Sequence, residues 1–384
     1  MSYLDQAATR PMRREVLEAM WPFLAGEYEG EFGNPSSRHD VGDRAARALA
    51  DARARIAGHL GCRPAEVILT SGGTEADNLA LKGIALANPR GRHLVTSAIE
   101  HEAVLESADY LRRLHGVEVT FVDLTPEGLV TPAALAAALR DETTLVSIHH
   151  GNNEIGCVQP IRELAAVARE AGIPFHTDAV QSAGWLDVGL VALGVDAVSV
   201  AGHKLGAPKG VGALAVRRGV ALEPLIHGGG QERGRRSGTE NVAGAVGLAT
   251  ALDLAAAARG AASETAAARD ALIEGVLAAV PGALLTGPRE PRLPGHASFC
   301  FPGTSGEAVL LELERRGVVC SSGSACAAGS DEPSHVLTAV GIAPEVAQTA
   351  VRFTFGAEFT PADAESVVAR VAESVAAVGG LSAS

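Results

Sequence analysis

The chain has 384 residues, 47% of them hydrophobic and 20% charged, with a formal net charge of −13. That length exceeds what one small core organises and points to two domains, and the charge argues against a surface that grips nucleic acid phosphates or anionic membranes. The opening Met1-Ser2-Tyr3-Leu4-Asp5 lacks the basic start of a signal peptide, and no run of about 18 apolar residues stands out, so a cytoplasmic chain is expected.

From residue 67 to residue 217, short β-branched runs alternate with helical patterns. Strands are predicted at 67–71, 93–96, 119–122, 144–148, 173–176, 197–200 and 213–216, with helices such as 75–87 and 161–171 between them. This order predicts an α/β fold, a mostly parallel sheet sandwiched by helices, with ligands bound beyond the carboxyl ends of the strands. After Gly247 the pattern changes. Residues 251–279 are rich in Ala, Leu, Glu and Arg and read as one long helix or two joined ones. Strands at 318–320 and 351–355 and an amphipathic helix at 361–378 complete a smaller α+β unit. The expected division is a large domain over 14–250 and a small one built from 1–13 and 251–384.

Lysine occurs only at Lys82, Lys204 and Lys209, whereas arginine supplies the other 29 basic residues. A lysine surviving such a bias is a candidate for chemistry, because arginine cannot form a Schiff base. Lys204 follows an apolar strand in Gly202-His203-Lys204, at the ligand-binding edge, while Lys82 lies on a helix and Lys209 in a Pro-Lys-Gly turn. Asp178 ends another strand, with Gln181 just beyond; it either caps the next helix or pairs with a cofactor's protonated ring nitrogen. Ser71-Gly72-Gly73-Thr74-Glu75 joins a strand to a helix and is either an ordinary turn or a phosphate cup. Together, a Schiff-base lysine, a ring-nitrogen acid and a phosphate cup describe a pyridoxal phosphate site.

Five cysteines (Cys62, Cys157, Cys300, Cys320 and Cys326) form neither a disulfide framework nor a metal-binding Cys-x-x-Cys pair, and no metal is expected. Four sit in or beside apolar runs and read as core residues. Cys326 lies among Ser, Gly and Ala in residues 321–330, where a nucleophilic role is the better reading.

The chain resembles the cysteine desulfurases. The matching stretches include Tyr3-Leu4-Asp5, Gly33-Asn34-Pro35, Thr70-Ser71-Gly72-Gly73-Thr74-Glu75, Glu100-His101, Asn152-Asn153-Glu154-Ile155-Gly156 and Asp178-Ala179-Val180-Gln181. They continue with Gly202-His203-Lys204, His227-Gly228-Gly229-Gly230, Arg236-Ser237-Gly238-Thr239 and Ser321-Ser322-Gly323-Ser324-Ala325-Cys326, in order along nearly the whole chain. The segment around Cys326 is similar to the branch with a long flexible cysteine loop.

The resemblance implies an aspartate aminotransferase-like fold and a homodimer. It also implies removal of sulfur from L-cysteine through a pyridoxal phosphate ketimine, leaving L-alanine and a persulfide on Cys326. Lys204 would hold the cofactor, Asp178 its ring nitrogen, Gln181 its phenolic oxygen, and His101 would stack on the ring and exchange a proton with the thiol. Gly73, Thr74 and His203 would hold the phosphate, joined by Thr239 from the second subunit. Asn34, Asn153 and Arg352 would receive the substrate carboxylate, with Asn153 also contacting the cofactor. A serine common in the family two residues before the His-Lys pair is Ala201 here, which implies weaker phosphate binding. A selenocysteine lyase, another pyridoxal phosphate-dependent lyase or aminotransferase, and a non-catalytic sulfur-carrier scaffold are the alternatives. The sulfur's destination stays open among iron–sulfur assembly, tRNA thiolation and DNA modification, with an acceptor protein as intermediary.

Overall fold

The computed structural model describes residues 1–25, 31–87, 90–323 and 332–382. The chain enters as a short strand, β1 (Ser2–Tyr3), followed by helices α1 (Arg14–Leu24) and α2 (Asp40–His59). Seven strands then build the main sheet: β2 (Val67–Thr70), β3 (His93–Thr96), β4 (Glu118–Phe121), β5 (Thr143–Ser147), β6 (Phe175–Asp178), β7 (Ala197–Ala201) and β8 (Gly212–Val216). Their spatial order is β2-β8-β7-β6-β5-β3-β4, with β8 antiparallel to both neighbours and every other pairing parallel.

Side-chain alternation sends successive residues of these strands to two faces. Leu94, Leu145, Ala197 and Leu214 pack under α3 (Gly73–Ala87) and α4 (Glu102–His115). Val95, Val146, Val198 and Ala215 join the opposite core, which takes in α1 and α2. Both faces are covered, which is why the strands read as continuous apolar runs rather than as alternating ones.

Helices α5 (Pro132–Ala138), α6 (Ile161–Glu170) and α7 (Leu190–Leu193) complete that layer, and α8 (Val242–Ala258) packs against α1 and α2. The stretch expected to be one helix or two is two: α8 joins α9 (Ala262–Ala279) through a tight turn at Arg259–Ala261. By length and composition alone this stretch could cross a membrane, but most of its apolar window is buried inside the fold.

A second core gathers Leu4 with residues of α9, β10 (His296–Cys300), α10 (Gly306–Arg315), β12 (Ala350–Thr354) and α13 (Pro361–Ser382). Here β12, β10 and β9 (Leu284–Leu285) form one antiparallel sheet, while β1 pairs with β11 (Val318–Val319). Helices α11 (His335–Ala339) and α12 (Pro344–Ala347) lie between these elements, and Val336, Leu337 and Ala347 pack with Ile99, Ile155 and Cys300 to join the two cores. Strand β10 was absent from the sequence expectation because His296 and Ser298 interrupt its apolar pattern; both are buried.

The edge strand β2 is closed by side chains. Arg53 of α2 forms a two-bond ion pair with Glu232 (2.6 and 2.6 Å), donates to the carbonyl of Val67, and Glu232 accepts the N–H of Leu69. These side chains are 9% and 2% exposed. An edge otherwise open to pairing is thereby satisfied, and the segment after residue 230 is tied to the sheet. Replacing one member leaves a buried charge unpaired. Arg53→Met should destabilise the fold by about 3–5 kcal/mol in a urea melt, and Arg53→Met/Glu232→Gln should recover much of that loss.

Candidate active site

The carboxyl ends of β5, β6 and β7 deliver their chemistry to one cavity of about 330 Å³. Asp178 is the last residue of β6, and Lys204 ends the tight turn that follows β7. The cavity wall holds Gly73, Thr74, His101, Asn153, Asp178, Gln181, His203, Lys204 and Arg352, eight of them expected from the cofactor motifs and the ninth, Arg352, from the substrate set.

The amino-terminal segment supplies the contacts of Lys204. Its Nζ donates to the carbonyl of Ala7 and to that of Ala8 (2.8 Å). Gln181 Nε2 also donates to Ala7 (3.1 Å), and His203 Nδ1 meets Thr9 Oγ1 at 3.1 Å. Burial, with Lys204 and Lys209 nearby, pushes the His203 imidazole down to about 4, so it is neutral and keeps one N–H. The other lysines have other lives. Lys82 donates to Asn78 (2.6 Å) and sits over the Tyr110 ring, while Lys209 is exposed.

Asp178 is buried, and one of its oxygens accepts the N–H of Val180 at 2.8 Å. Burial pushes its carboxyl up, opposed first by that hydrogen bond. Beneath it lies Asp77, a residue sequence reasoning missed, 1% exposed and 3.7 Å from His176 Nε2. Burial and the charge of Asp178 hold Asp77 well above the ordinary carboxyl range. Two carboxyls in one dry pocket do not both ionise readily, so the proton resides on Asp77 and Asp178 carries the charge. His176 hydrogen-bonds Ser147 and Ser199 (2.9 Å each), and burial pushes it down to about 3, so it is neutral. Ser199 is thus engaged below the floor, and Ala201 alone lines the cavity from β7.

Glu100 stands in a matching stretch of the sequence but was given no role there. It accepts Ser97 Oγ (2.6 Å), the N–H of His149 and His149 Nδ1 (3.0 Å), fixing the turn that presents His101. His101 caps α4, its Nδ1 accepting the N–H of Ala103 (3.0 Å). The adjacent doublet His149-His150 at a strand end was the available sequence signal for this pair.

Arg352 is 1% exposed. Its Nη1 donates to the carbonyls of Asn153 (2.9 Å) and Gly323 (2.5 Å), and its Nη2 to Asp5 (2.8 Å), while Nε has no partner among the described residues. Asn152 shapes the neighbouring turn by accepting the N–H groups of Glu154 and Ile155 (2.8 Å each). Two expected residues stand apart from this cavity. Asn34 is exposed and accepts the N–H of Ser36, and Thr239 is exposed on the surface. Cys326 lies outside the described residues. Of the other cysteines, Cys157 and Cys300 are buried and Cys62 and Cys320 are half-buried. Burial pushes the thiols of Cys62 and Cys300 up to about 12 and about 11, and that of Cys320 higher still.

Residues 2–367 match the aminotransferase class-V family. The chain belongs to that family, in its cysteine desulfurase branch. The cysteine desulfurase IscS of Dictyoglomus turgidum is 47% identical over 94% of this chain and 91% of its own length. A solved NifS-like protein superposes with a TM-score of 0.89 at 35% identity, covering 98% of this chain and 99% of its own. A structure titled SspA in complex with cysteine gives a TM-score of 0.79 at 36% identity, covering 92% and 99%.

The enzyme is pyridoxal phosphate-dependent, and its cavity walls fit that group. A Cβ at Gly73 would come within 2.8 Å of Val180, and one at Gly212 within 2.7 Å of Gly72, so the turn before α3 is kept bare for close approach. A buried carboxyl, a lysine and a phosphate-sized turn face one another across the cavity, the donor set that a pyridine, an aldehyde and a phosphate require.

The Glu100–His149 pair has a measurable signature. Burial alone would lower His149, but the Glu100 carboxylate overcomes it and drives the imidazole up to about 10. A raised value means that the stabilisation is fully present below about pH 6.5 and is lost as pH rises through about 10. Thermal melts from pH 6 to 10.5 should show wild type more stable than His149→Gln, with the gap closing near pH 10. A gap independent of pH would remove the charge from the pair.

Proposed function

We propose that this desulfurase works as a cytoplasmic homodimer and passes the sulfur of L-cysteine through a persulfide on Cys326 to an acceptor protein. The observation that carries the reading is the buried guanidinium of Arg352 in the same cavity as Lys204 and Asp178. A planar fork suits an α-carboxylate, and Nε has no hydrogen-bond partner among the described residues. With the carboxylate held there, the substrate's α-carbon would face Lys204 in the same cavity.

The residues divide the work. Lys204 would anchor the cofactor and then, as a free amine, carry the α-proton. Asp178 would keep the ring nitrogen protonated, Gln181 would bond the phenolic oxygen, His101 would cover the ring, and Gly73, Thr74 and His203 would hold the phosphate. Bound there, pyridoxal phosphate supplies an electron sink that makes the α-proton acidic and the sulfur a leaving group. With Nδ1 accepting the N–H of Ala103, His101 presents Nε2–H toward the thiol. That N–H would donate a hydrogen bond to a nearby thiolate. The Cys326 thiolate attacks the substrate sulfur, forming the S–S bond as the C–S bond breaks. Asn34 and Asn153 assist the carboxylate.

A dimer is supported by the exposed face of α1, where Leu17, Trp21 and Leu24 are 44%, 48% and 57% exposed, with Phe32 at 60%. It also gives exposed Thr239 a phosphate to meet in the partner. The two cores support a large unit that runs from about residue 14 through α8 rather than ending at 250, because Ala251, Leu252 and Ala255 join the first core, and a small unit built from 1–13 and the rest of the chain, carrying Cys326. The net charge of −13 favours a protein acceptor, of iron–sulfur assembly or thiolation, over direct contact with nucleic acid.

Cys326→Ala should keep cofactor and substrate binding while sulfide release from L-cysteine falls by orders of magnitude. Alanine at Cys62, Cys157, Cys300 or Cys320 should leave turnover largely intact. Wild-type sulfide release by Cys326→Ala would refute the persulfide and favour a lyase.

A further inference from the structure

Two motifs far apart in the sequence meet in the fold. Ser71 to Glu75 forms the turn of the phosphate cup, and Gly234 to Thr239 forms the segment proposed to serve a second subunit. Arg236 joins them. Its Nε donates to Glu75 Oε1 at 2.8 Å and its Nη2 to Glu75 Oε2 at 3.3 Å. Glu75 Oε2 also accepts the N–H of Ser71 at 2.8 Å, so one carboxylate spans the cup and holds the guanidinium. The two side chains are 24% and 15% exposed, sheltered enough for the pair to hold its geometry.

The segment around Arg236 is otherwise knitted to itself. Ser237 N–H donates to Ile226 (3.0 Å), Gly238 N–H to Gln231 Oε1 (3.0 Å), and Gly230 N–H to Ser237 Oγ (3.3 Å). Its far end is fastened by Arg53–Glu232. Between Arg236 and exposed Thr239 stands Gly238, its N–H fixed by Gln231 and its φ of +115° in the region that favours glycine, so the turn carries the position of Arg236 on to Thr239. The direction in which Thr239 leaves the protein is therefore set by where Arg236 is held.

We propose that Glu75 and Arg236 are a positioning pair that ties each subunit's phosphate cup to the segment gripping the other subunit's phosphate. The proposal rests on the dimer and on the role of Thr239 proposed above. Its consequence is directional: cutting the pair weakens the cofactor's hold in the opposite site rather than in the site of the chain that carries the lesion.

Mixed dimers carrying two different affinity tags test this, with Arg236→Met as the lesion, so that Glu75 keeps its bond to Ser71 in the cup. The readout is the rate at which cofactor absorbance is lost to a carbonyl scavenger. In the first arrangement the lesion shares a chain with Lys204→Ala and the partner is wild type, so the one loaded site is served by the altered segment. Loss there should be about ten-fold faster, the effect of one hydrogen bond to a charged group. In the second arrangement the lesion and Lys204→Ala are on opposite chains, so the loaded site is served by an intact segment and should keep the wild-type rate. Arg236→Lys, placed as in the first arrangement, should restore most of the hold. Equal rates in both arrangements, or faster loss only in the second, would overturn the proposal while leaving the dimer intact. A fully loaded, active monomer by light scattering would overturn the dimer reading itself, and the proposal with it.

Discussion

The ammonium of Lys204 is held by two backbone carbonyls, those of Ala7 and Ala8, and much of the site's organisation follows from that contact. It requires the amino-terminal segment to lie across the mouth of a cavity built by strands nearly two hundred residues away. The segment is fixed there because β1 pairs with β11, Leu4 enters the second core, and the N–H of Thr354 donates to Leu4. One residue further, Asp5 pairs with Arg352. A few residues of extended chain thus bind a lysine from the main sheet and an arginine from the smaller one, and the cavity between the two cores acquires a fixed width.

Charge balance is the second constraint. Asp77, Glu100 and Asp178 are all buried in or beside the cavity, and three bare carboxylates there would be too costly. Each is handled differently. Glu100 is neutralised by His149, Asp77 keeps its proton above neutral His176, and Asp178 alone presents a charge that a pyridinium nitrogen can share. The neighbouring His203 is neutral through burial beside Lys204, which leaves the lysine as the cation at that edge of the cavity. The acid and the lysine therefore differ in environment as much as in residue type.

Much of this was legible in the sequence, for physical reasons that differ by element. Most of strands β2 to β8 showed because helices cover both faces, so apolar and β-branched residues recur on each side of the sheet. Lys204 and Asp178 showed because they end such runs. Strand β10 did not show, since His296 and Ser298 serve the interior of a polar wall and break the pattern. Nor did Asp77, which looks like any acidic residue on a helix until the fold places it under Asp178. The pairings Glu75–Arg236 and Arg53–Glu232 join residues more than 150 apart, and no local spacing rule reports them. Ala7 and Ala8 act through their carbonyls, which every residue possesses, so their side chains carry no signal.

The central claim is that the strand ends converge on Lys204 as the residue that holds the cofactor. Borohydride reduction of the loaded protein, followed by digestion and mass spectrometry, tests it most directly. The account predicts the cofactor's mass on the peptide containing Lys204 and loss of the yellow absorbance in Lys204→Ala. Label on the peptides of Lys82 or Lys209, or an unchanged absorbance in Lys204→Ala, would contradict it.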